Sequence, residues 1–365
     1  MTRTTLAAVA TDILQMELRE FETPPPQPDA GLLKIEAAGI CGADWIAYQK
    51  SRVPRIMGHE NVGTVTELGS IAARQWGLKE GDRVVLEEYL PCGHCAFCRS
   101  PDFRLCRETE TRGAERTVLR YGTSPLEMAP SLWGGYSQYM YLHSRTVFHR
   151  VRSDVPAHLL AMSIPMSNGI QWAQFDGGLR MGQSVLIEGP GQQGLAAVLA
   201  ARRLGAGLII VSGLSQDAAR LEVAKKYGAH ATIDVEKQDL LDEVNRLTGG
   251  RGVDLVLDLA GGPNTLVDAL RAVTKAGTVV FAAGHNIANF PAQEMTAKRV
   301  TLRAARGHTF QAVETAIEMI SSGEADLSLM ATHRFSLKDA DLAVRSIGGK
   351  GLPGAVHVSI IPEAA

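Results

Sequence analysis

The run Gly189-Pro190-Gly191-Gln192-Gln193-Gly194 follows an apolar stretch, Ser184-Val185-Leu186-Ile187-Glu188, and opens onto a helically spaced one, Leu195 to Leu204. A G-x-G-x-x-G turn between a strand and a helix constrains this chain more than any other feature in it. The glycines allow a tight turn and let a pyrophosphate approach the N-terminus of the helix. Without its flanks the pattern would be only a glycine-rich turn. With them, Gly189, Gly191, Gln192, Gln193 and Gly194 become candidate cofactor-binding residues. The period that starts here continues. Leu208-Ile209-Ile210-Val211, Asp254-Leu255-Val256-Leu257-Asp258 and Thr278-Val279-Val280-Phe281 read as strands, with helices between them such as Ala218 to Tyr227. Strands alternating with helices imply βαβ units and a parallel sheet.

An NAD-type site carries an acidic residue at the end of the second strand, about 20 residues on, for the ribose 2′-hydroxyl. Here the second strand runs into Ser212-Gly213-Leu214-Ser215, with no carboxylate and Gly213 at that place. A 2′-phosphate would meet no like charge there, and Ser212, Ser215 and Arg220 offer it hydrogen bonds. The expectation therefore tilts to NADP(H) among the NAD(P) cofactors, although Arg220 equally suits a helix surface. Asn168, at the entry to this half, joins the cofactor-binding candidates.

The first ninety residues read differently. Leu32 to Ala37, Asn61 to Gly69 and Asp82 to Leu86 alternate as short strands, and Pro24-Pro25-Pro26 is an extended entry segment. At 365 residues the chain suggests about two domains. A net charge of -2 excludes the basic footprint of a nucleic-acid binder. No apolar run reaches the roughly 18 residues of a membrane span. Leu6 to Ala10 is too short for a signal segment and Asp12 interrupts it, so the expected compartment is the cytoplasm. Gln311 to Ser321 reads as a late amphipathic helix and Ala355 to Ile360 as a final strand.

Four of the five cysteines stand at Cys92, Cys95, Cys98 and Cys106, a C-x2-C-x2-C-x7-C spacing. Four thiolates on one loop can close a tetrahedral shell around zinc with no open position, which is a structural site. An iron–sulfur cluster is the rival, weakened by the x7 step and by the lack of a proline after Cys106. Disulfides are disfavoured where there is no secretion signal. The fifth cysteine lies in Gly39-Ile40-Cys41-Gly42-Ala43-Asp44, and Gly58-His59-Glu60 follows downstream. A thiolate, an imidazole and a carboxylate form a plausible metal set, and a catalytic zinc keeps a position open for substrate oxygen. A buried cysteine beside a satisfied histidine is the plainer reading of such a pair.

These two motifs, the four-cysteine lobe and Trp133-Gly134-Gly135-Tyr136-Ser137-Gln138-Tyr139 together resemble the zinc-dependent medium-chain dehydrogenases/reductases, the alcohol, sorbitol and threonine dehydrogenase group. The resemblance runs over nearly the whole chain, to His333 to Ala340. It implies an α/β fold: a Rossmann doubly wound parallel sheet over 156–299, plus a GroES-like β-rich catalytic domain over 1–155 and 300–365. The latter would carry a structural-zinc lobe at about 90–108, and the active site would lie in the cleft between the domains. By position, Cys41 and His59 would be catalytic-zinc ligands, Glu60 the glutamate that can swing onto the metal, and Asp44 the carboxylate that orients the histidine. Trp45, Tyr48, Met57 and Trp172 would line an apolar substrate pocket, although Trp172 equally suits packing. Family members are commonly homodimers or homotetramers.

Two positions depart from the family pattern. Ile164 stands where a sorbitol-type ligand glutamate would be, with only Met166 and Ser167 near it, so the shell lacks a ligand unless Glu60 closes it. Ala43 replaces the Ser or Thr that starts the proton relay, and Ile46 a relay histidine, so water or another group must take the alcohol proton. The expected activity is NAD(P)-dependent interconversion of an alcohol and a carbonyl compound by zinc-assisted hydride transfer. The alternatives are reduction of an activated C=C or carbonyl group with an empty or altered zinc site, and a non-catalytic cofactor-binding protein. The long connection 107–132 reads as a specificity or oligomer element.

Overall fold

The structure is a computed structural model that describes residues 3–23, 25–109, 119–284 and 290–363. Its contacts gather into two compact units: Met1–Ser163 with Ile317–Ala365, and Ile164–Ala316. The second boundary thus falls at 316, beyond the 299 of the sequence reading, because the chain adds one more paired strand before it leaves.

The first unit begins with β1 (Thr4–Asp12), β2 (Gln15–Glu22), β3 (Gly31–Gly39), β4 (Arg55–Ile56), β5 (Glu60–Leu68), β6 (Arg83–Leu86), β7 (Tyr139–Leu142) and β8 (Phe148–Arg150). The second unit contains β9 (Ser184–Glu188), β10 (Leu208–Gly213), β11 (Ala231–Asp234), β12 (Val253–Asp258), β13 (Val273–Phe281) and β14 (Thr301–Ala304). The chain then returns to the first unit with β15 (Ala331–Phe335) and β16 (His357–Ile360).

The second unit's strands are all parallel, in the order β11-β10-β9-β12-β13-β14. Counted from β9 this is the 3-2-1-4-5-6 order of a doubly wound dinucleotide-binding sheet. Leu186, Ile210, Val256 and Val279 are fully buried in its centre. Helices cover both faces of such a sheet, which is why these strands read as continuous apolar runs rather than as alternation. The sheet's sixth strand, β14, lies within 300–365, the segment expected in the catalytic domain.

Antiparallel sheets dominate the first unit. One has the order β2-β1-β4; the other runs β15-β16-β3-β5-β6-β8, with β7 also on β3. The core packs their inner faces around Leu33, Ile35, Met57, Val84, Leu86, Trp133 and Tyr136. In β5 Glu60 to Gly63 and Val65 are buried, with polar Glu60 and Asn61 among them, and Thr64, Thr66 and Glu67 are half-buried, so the alternation read from the sequence holds only over Gly63 to Thr66. No helix among the described residues is long and apolar enough to cross a membrane. Residues 110–118 of the long connection, and Pro24, lie outside the described residues.

Candidate metal centres and dinucleotide pocket

Local geometry in the first unit starts at Cys41, the N-cap of the short helix Gly42–Tyr48. Its backbone N–H donates to Asp44 Oδ2 at 2.9 Å, so the C-G-A-D sequence closes a capping box. The same Asp44 turns its other oxygen to His59 Nδ1, 3.3 Å away. One buried carboxylate thereby fixes both the cysteine loop and the imidazole. His59 is set by Gly58, whose φ of +95° is left-handed and whose place has no room for a Cβ, 2.5 Å from the Tyr136 ring. At Gly135 an added Cβ would sit 1.7 Å from Asn61 Oδ1. The glycines of Trp133–Tyr139 thus let that segment press onto 56–61 and seat Tyr136 beside the site.

Cys41 Sγ, a ring nitrogen of His59 and a carboxylate oxygen of Glu60 all lie within 4.8 Å of one another. Glu60 is 0% exposed, and both its carboxylate oxygens lack a hydrogen-bond partner. His357 Nε2, on β16, stands 3.6 Å from Glu60 Oε2, and Glu88 Oε2 is 3.9 Å from His59 Nε2. Burial pushes the Cys41 thiol up, and Glu60 and Asp44 add to this while His59 pulls it down. Burial alone would lower the His59 pKa, but Asp44 and Glu88 hold it well above the usual histidine value. Burial and Asp44 push the Tyr136 phenol well up too. The carboxyl groups of Asp44, Glu60 and Glu88 therefore gather around His59, with His357 beside Glu60, and the site is suited to receive a cation. A buried, unpartnered carboxylate costs several kcal/mol unless a cation meets it, so these residues fit a zinc ion. Asp44→Asn is expected to weaken zinc binding about 10- to 100-fold, read by chelator titration, because an amide keeps one acceptor oxygen where Asp44 uses two, one for the Cys41 N–H and one for His59. Unchanged zinc retention would refute that role.

The structure adds residues the sequence did not single out. Glu88 is held by Arg120, at 2.6 Å, and by Arg104, at 3.8 Å. Burial would raise its pKa, but Arg120, His59 and Arg104 bring it down to about 2. Arg104 also pairs with buried Glu87, and both guanidinium groups stack on Tyr89. Arg120 lies in the 107–132 connection. The described part of that segment is an internal support, with Tyr121 and Ser124 buried.

In the lobe, Cys92, Cys95, Cys98 and Cys106 bring their sulfurs within 4.8 Å of one another, all as free thiols. Cys92–Cys98 and Cys95–Cys98 sulfurs are 3.8 and 3.5 Å apart. A tetrahedron of Zn–S bonds of about 2.3 Å has edges of about 3.8 Å, so the set fits zinc. The N–H of His94 leads in lowering Cys92 to about 6, whereas burial pushes Cys98 up to about 12.

Not every expected residue stays available. Tyr48 is buried, its hydroxyl bonded to Asp341, and Met57 is buried in the same core. Trp45 packs on Gly348, where a Cβ would lie 2.2 Å from the indole. Trp172 is buried in the second unit on a π-helical turn, Gln171–Asp176, and its Nε1 donates to Gly307 O at 3.1 Å. Tyr48, Met57 and Trp172 are spent on packing, which corrects their reading as substrate lining, whereas Trp45 is only half-buried. The segment 162–169 showed its lack of donors in the sequence. Ile164 has none, Met166 is buried, and the Ser167 hydroxyl donates to Ile164 O at 2.7 Å.

A pocket of about 650 Å³ opens in the second unit at the C-terminal ends of β9 and β10, lined by Gly189, Pro190, Gly191, Ser212, Gly213 and Arg220 among others. Gly189 has a φ of +97°, and a Cβ on Gly194 would lie 1.9 Å from Gly189 O, so the loop closes tightly onto the helix Gln192–Arg203. This cradle fits a dinucleotide. Gln192 and Gln193 keep amide oxygens that are buried without a partner. Asn168 is paired with His308 Nδ1 at 2.8 Å. Two of the three groups expected to receive a 2′-phosphate are already engaged. Ser215 donates to Asp234 at 2.8 Å, and Arg220 pairs with Asp217 at 3.1 Å.

Comparison with known proteins agrees with this architecture. Residues 27–152 match the alcohol dehydrogenase GroES-like domain, and residues 194–322 match the zinc-binding dehydrogenase domain. The chain is 31% identical to the sorbitol dehydrogenase of Bacillus subtilis, over 93% of this chain and 92% of that one. It is also 31% identical to the L-threonine 3-dehydrogenase of Pyrococcus abyssi, over 87% of this chain and 88% of that one. An alcohol dehydrogenase structure from Thermus sp. ATN1 superposes with a TM-score of 0.85 at 26% identity, covering 98% of this chain and all of the other. The chain belongs to the zinc-dependent medium-chain dehydrogenase/reductase family. It is an NAD(P)-dependent oxidoreductase of alcohols and carbonyl compounds, with zinc as a cofactor.

Proposed function

We propose that Cys41, His59 and Glu60 hold a catalytic zinc that the substrate's oxygen reaches, and that the four-cysteine lobe holds a second, structural zinc. The observation that carries this reading is Glu60, fully buried with two unpartnered oxygens between the Cys41/His59 pair and His357. With Ile164 lacking a donor, Glu60 takes the place of the third protein ligand. When bound, zinc supplies a Lewis acid for the substrate oxygen and the nicotinamide exchanges a hydride with the carbinol carbon. The chain's own residues orient and charge the site. Asp44 fixes the His59 ring, Glu88 adds negative field across from it, and Tyr136 walls it with a neutral hydroxyl. Ala43 offers no hydroxyl to the departing proton, which is left to solvent.

The reading includes the cytoplasm as compartment, supported by five unpaired cysteines, and assembly into a homodimer or homotetramer, supported by the family resemblance. A panel of secondary alcohols, polyols, aldehydes and enones with both nicotinamide cofactors tests the activity. Turnover of alcohols or carbonyls that disappears with chelation and returns with zinc supports it. Turnover of enones alone, indifferent to chelation, overturns the zinc mechanism.

A further inference from the structure

The carboxyl that reads an adenosine ribose is expected at the end of the second strand of the sheet, and β10 ends in Gly213 instead. The structure shows why. An added Cβ at Gly213 would lie 2.9 Å from the Pro190 ring and 3.3 Å from Asp217 Cβ, so an acidic side chain does not fit there. One strand inward the situation reverses. Glu188, the last residue of β9, lines the same pocket and is 2% exposed. Its Oε2 has no hydrogen-bond partner. In the parallel register Ser212, Glu188 and Asp258 stand side by side across β10, β9 and β12, so their side chains share one face of the sheet.

The three members of that row are not equally engaged. Asp258 accepts from the N–H groups of Ala260 and Gly261 and from the Thr265 hydroxyl, at 3.3, 3.4 and 3.1 Å. It is a satisfied acceptor. Glu188 is not, and a buried carboxyl oxygen without a partner is costly unless a ligand completes it. Burial pushes its pKa well up, and Asp258 and Asp268 add to the shift. The pocket's charged lining is otherwise Asp217, Asp239 and Asp268, with Arg220 its one cation among the described residues, and that cation is paired to Asp217. A 2′-phosphate would bring about -1.5 to -2 more charge into these walls.

We propose that Glu188 hydrogen-bonds the 2′-hydroxyl of the adenosine ribose, taking the role that the end of β10 leaves open, and that the pocket takes NAD(H) in preference to NADP(H). This reverses the tilt toward NADP(H) that the missing acid on β10 suggested. It rests on the second unit being the dinucleotide unit.

Fluorescence titration of the purified, full-length protein tests the proposal without turnover. Wild type is expected to bind NADH at least tenfold more tightly than NADPH. Glu188→Ala is expected to weaken NADH about tenfold and to change NADPH less than threefold, since one buried hydrogen bond is lost. Glu188→Gln, which keeps the shape and the hydrogen-bonding capacity, is expected to stay within threefold of wild type for NADH. Melting curves confirm that the variants are folded. Should Glu188→Ala not fold, wild type decides by itself: ADP is expected to bind at least fivefold more tightly than 2′-deoxy-ADP. Tighter binding of NADPH, equal binding of ADP and 2′-deoxy-ADP, or a folded Glu188→Ala with unchanged NADH affinity overturns the proposal. Binding of neither NADH nor NADPH would overturn the cofactor reading beneath it.

Discussion

Cys41→Ser is expected to lower kcat/KM by at least about a thousandfold and to remove one zinc per chain while leaving the other. A thousandfold is about 4 kcal/mol of barrier, within what a Lewis acid contributes to an oxyanion-like transition state. The fold should tolerate the change. Cys41 is only half buried, and the capping bond that holds its loop comes from its backbone N–H to Asp44, which serine retains. Melting should therefore shift by no more than a few degrees. Metal content measured beside activity separates the outcomes. A variant that keeps both zincs removes Cys41 from the metal shell. One that loses zinc but keeps its turnover shows that the chemistry proceeds without that metal.

Cys106→Ser should behave in the opposite way. Cys106 is fully buried, and its sulfur accepts the Cys92 backbone N–H at 3.3 Å, so it joins the two ends of the lobe. Binding free energy at a structural zinc site is folding free energy, on the order of 10 kcal/mol or more. Only part of the chain depends on it, so we expect a fall in melting temperature of about 10 °C or more and loss of the lobe's zinc. Activity should fall as a second consequence. Arg104, two residues before Cys106, pairs with Glu87 and reaches Glu88, which faces His59. A variant that melts like wild type would show that the lobe needs no metal. One that melts early yet retains full kcat/KM would show that the Arg104 link carries nothing to the Cys41–His59 site.

How much of this was legible in the sequence depended on how local each feature is. The four-cysteine lobe could be read completely because its four donors lie within fifteen residues, and a loop that short leaves few ways to arrange them. The dinucleotide turn was legible because its glycines, strand and helix are contiguous. Cys41, His59, Glu60 and Asp44 were found through motif resemblance, although the structure brings the four together by pairing Gly39 with Glu60 across β3 and β5. Glu88, Tyr136 and His357 were missed. Each comes from a different segment, and each is placed by a contact that no spacing announces. Tyr48 and Met57 failed in the other direction. A tyrosine or methionine near a metal motif reads as pocket lining, but the buried face of a helix or strand needs the same residue types.

The cofactor side divides in the same way. The sequence by itself determined that a dinucleotide turn exists and that the second strand ends without an acid. Both are statements about neighbours along the chain, which backbone geometry fixes within a few residues. Only the tertiary structure decided what replaces that acid and why. Pro190 fills the space beside Gly213, and strand register sets Glu188 between Ser212 and Asp258. Register and packing join residues 24 and 70 positions apart, and their energies arise only once the sheet has formed.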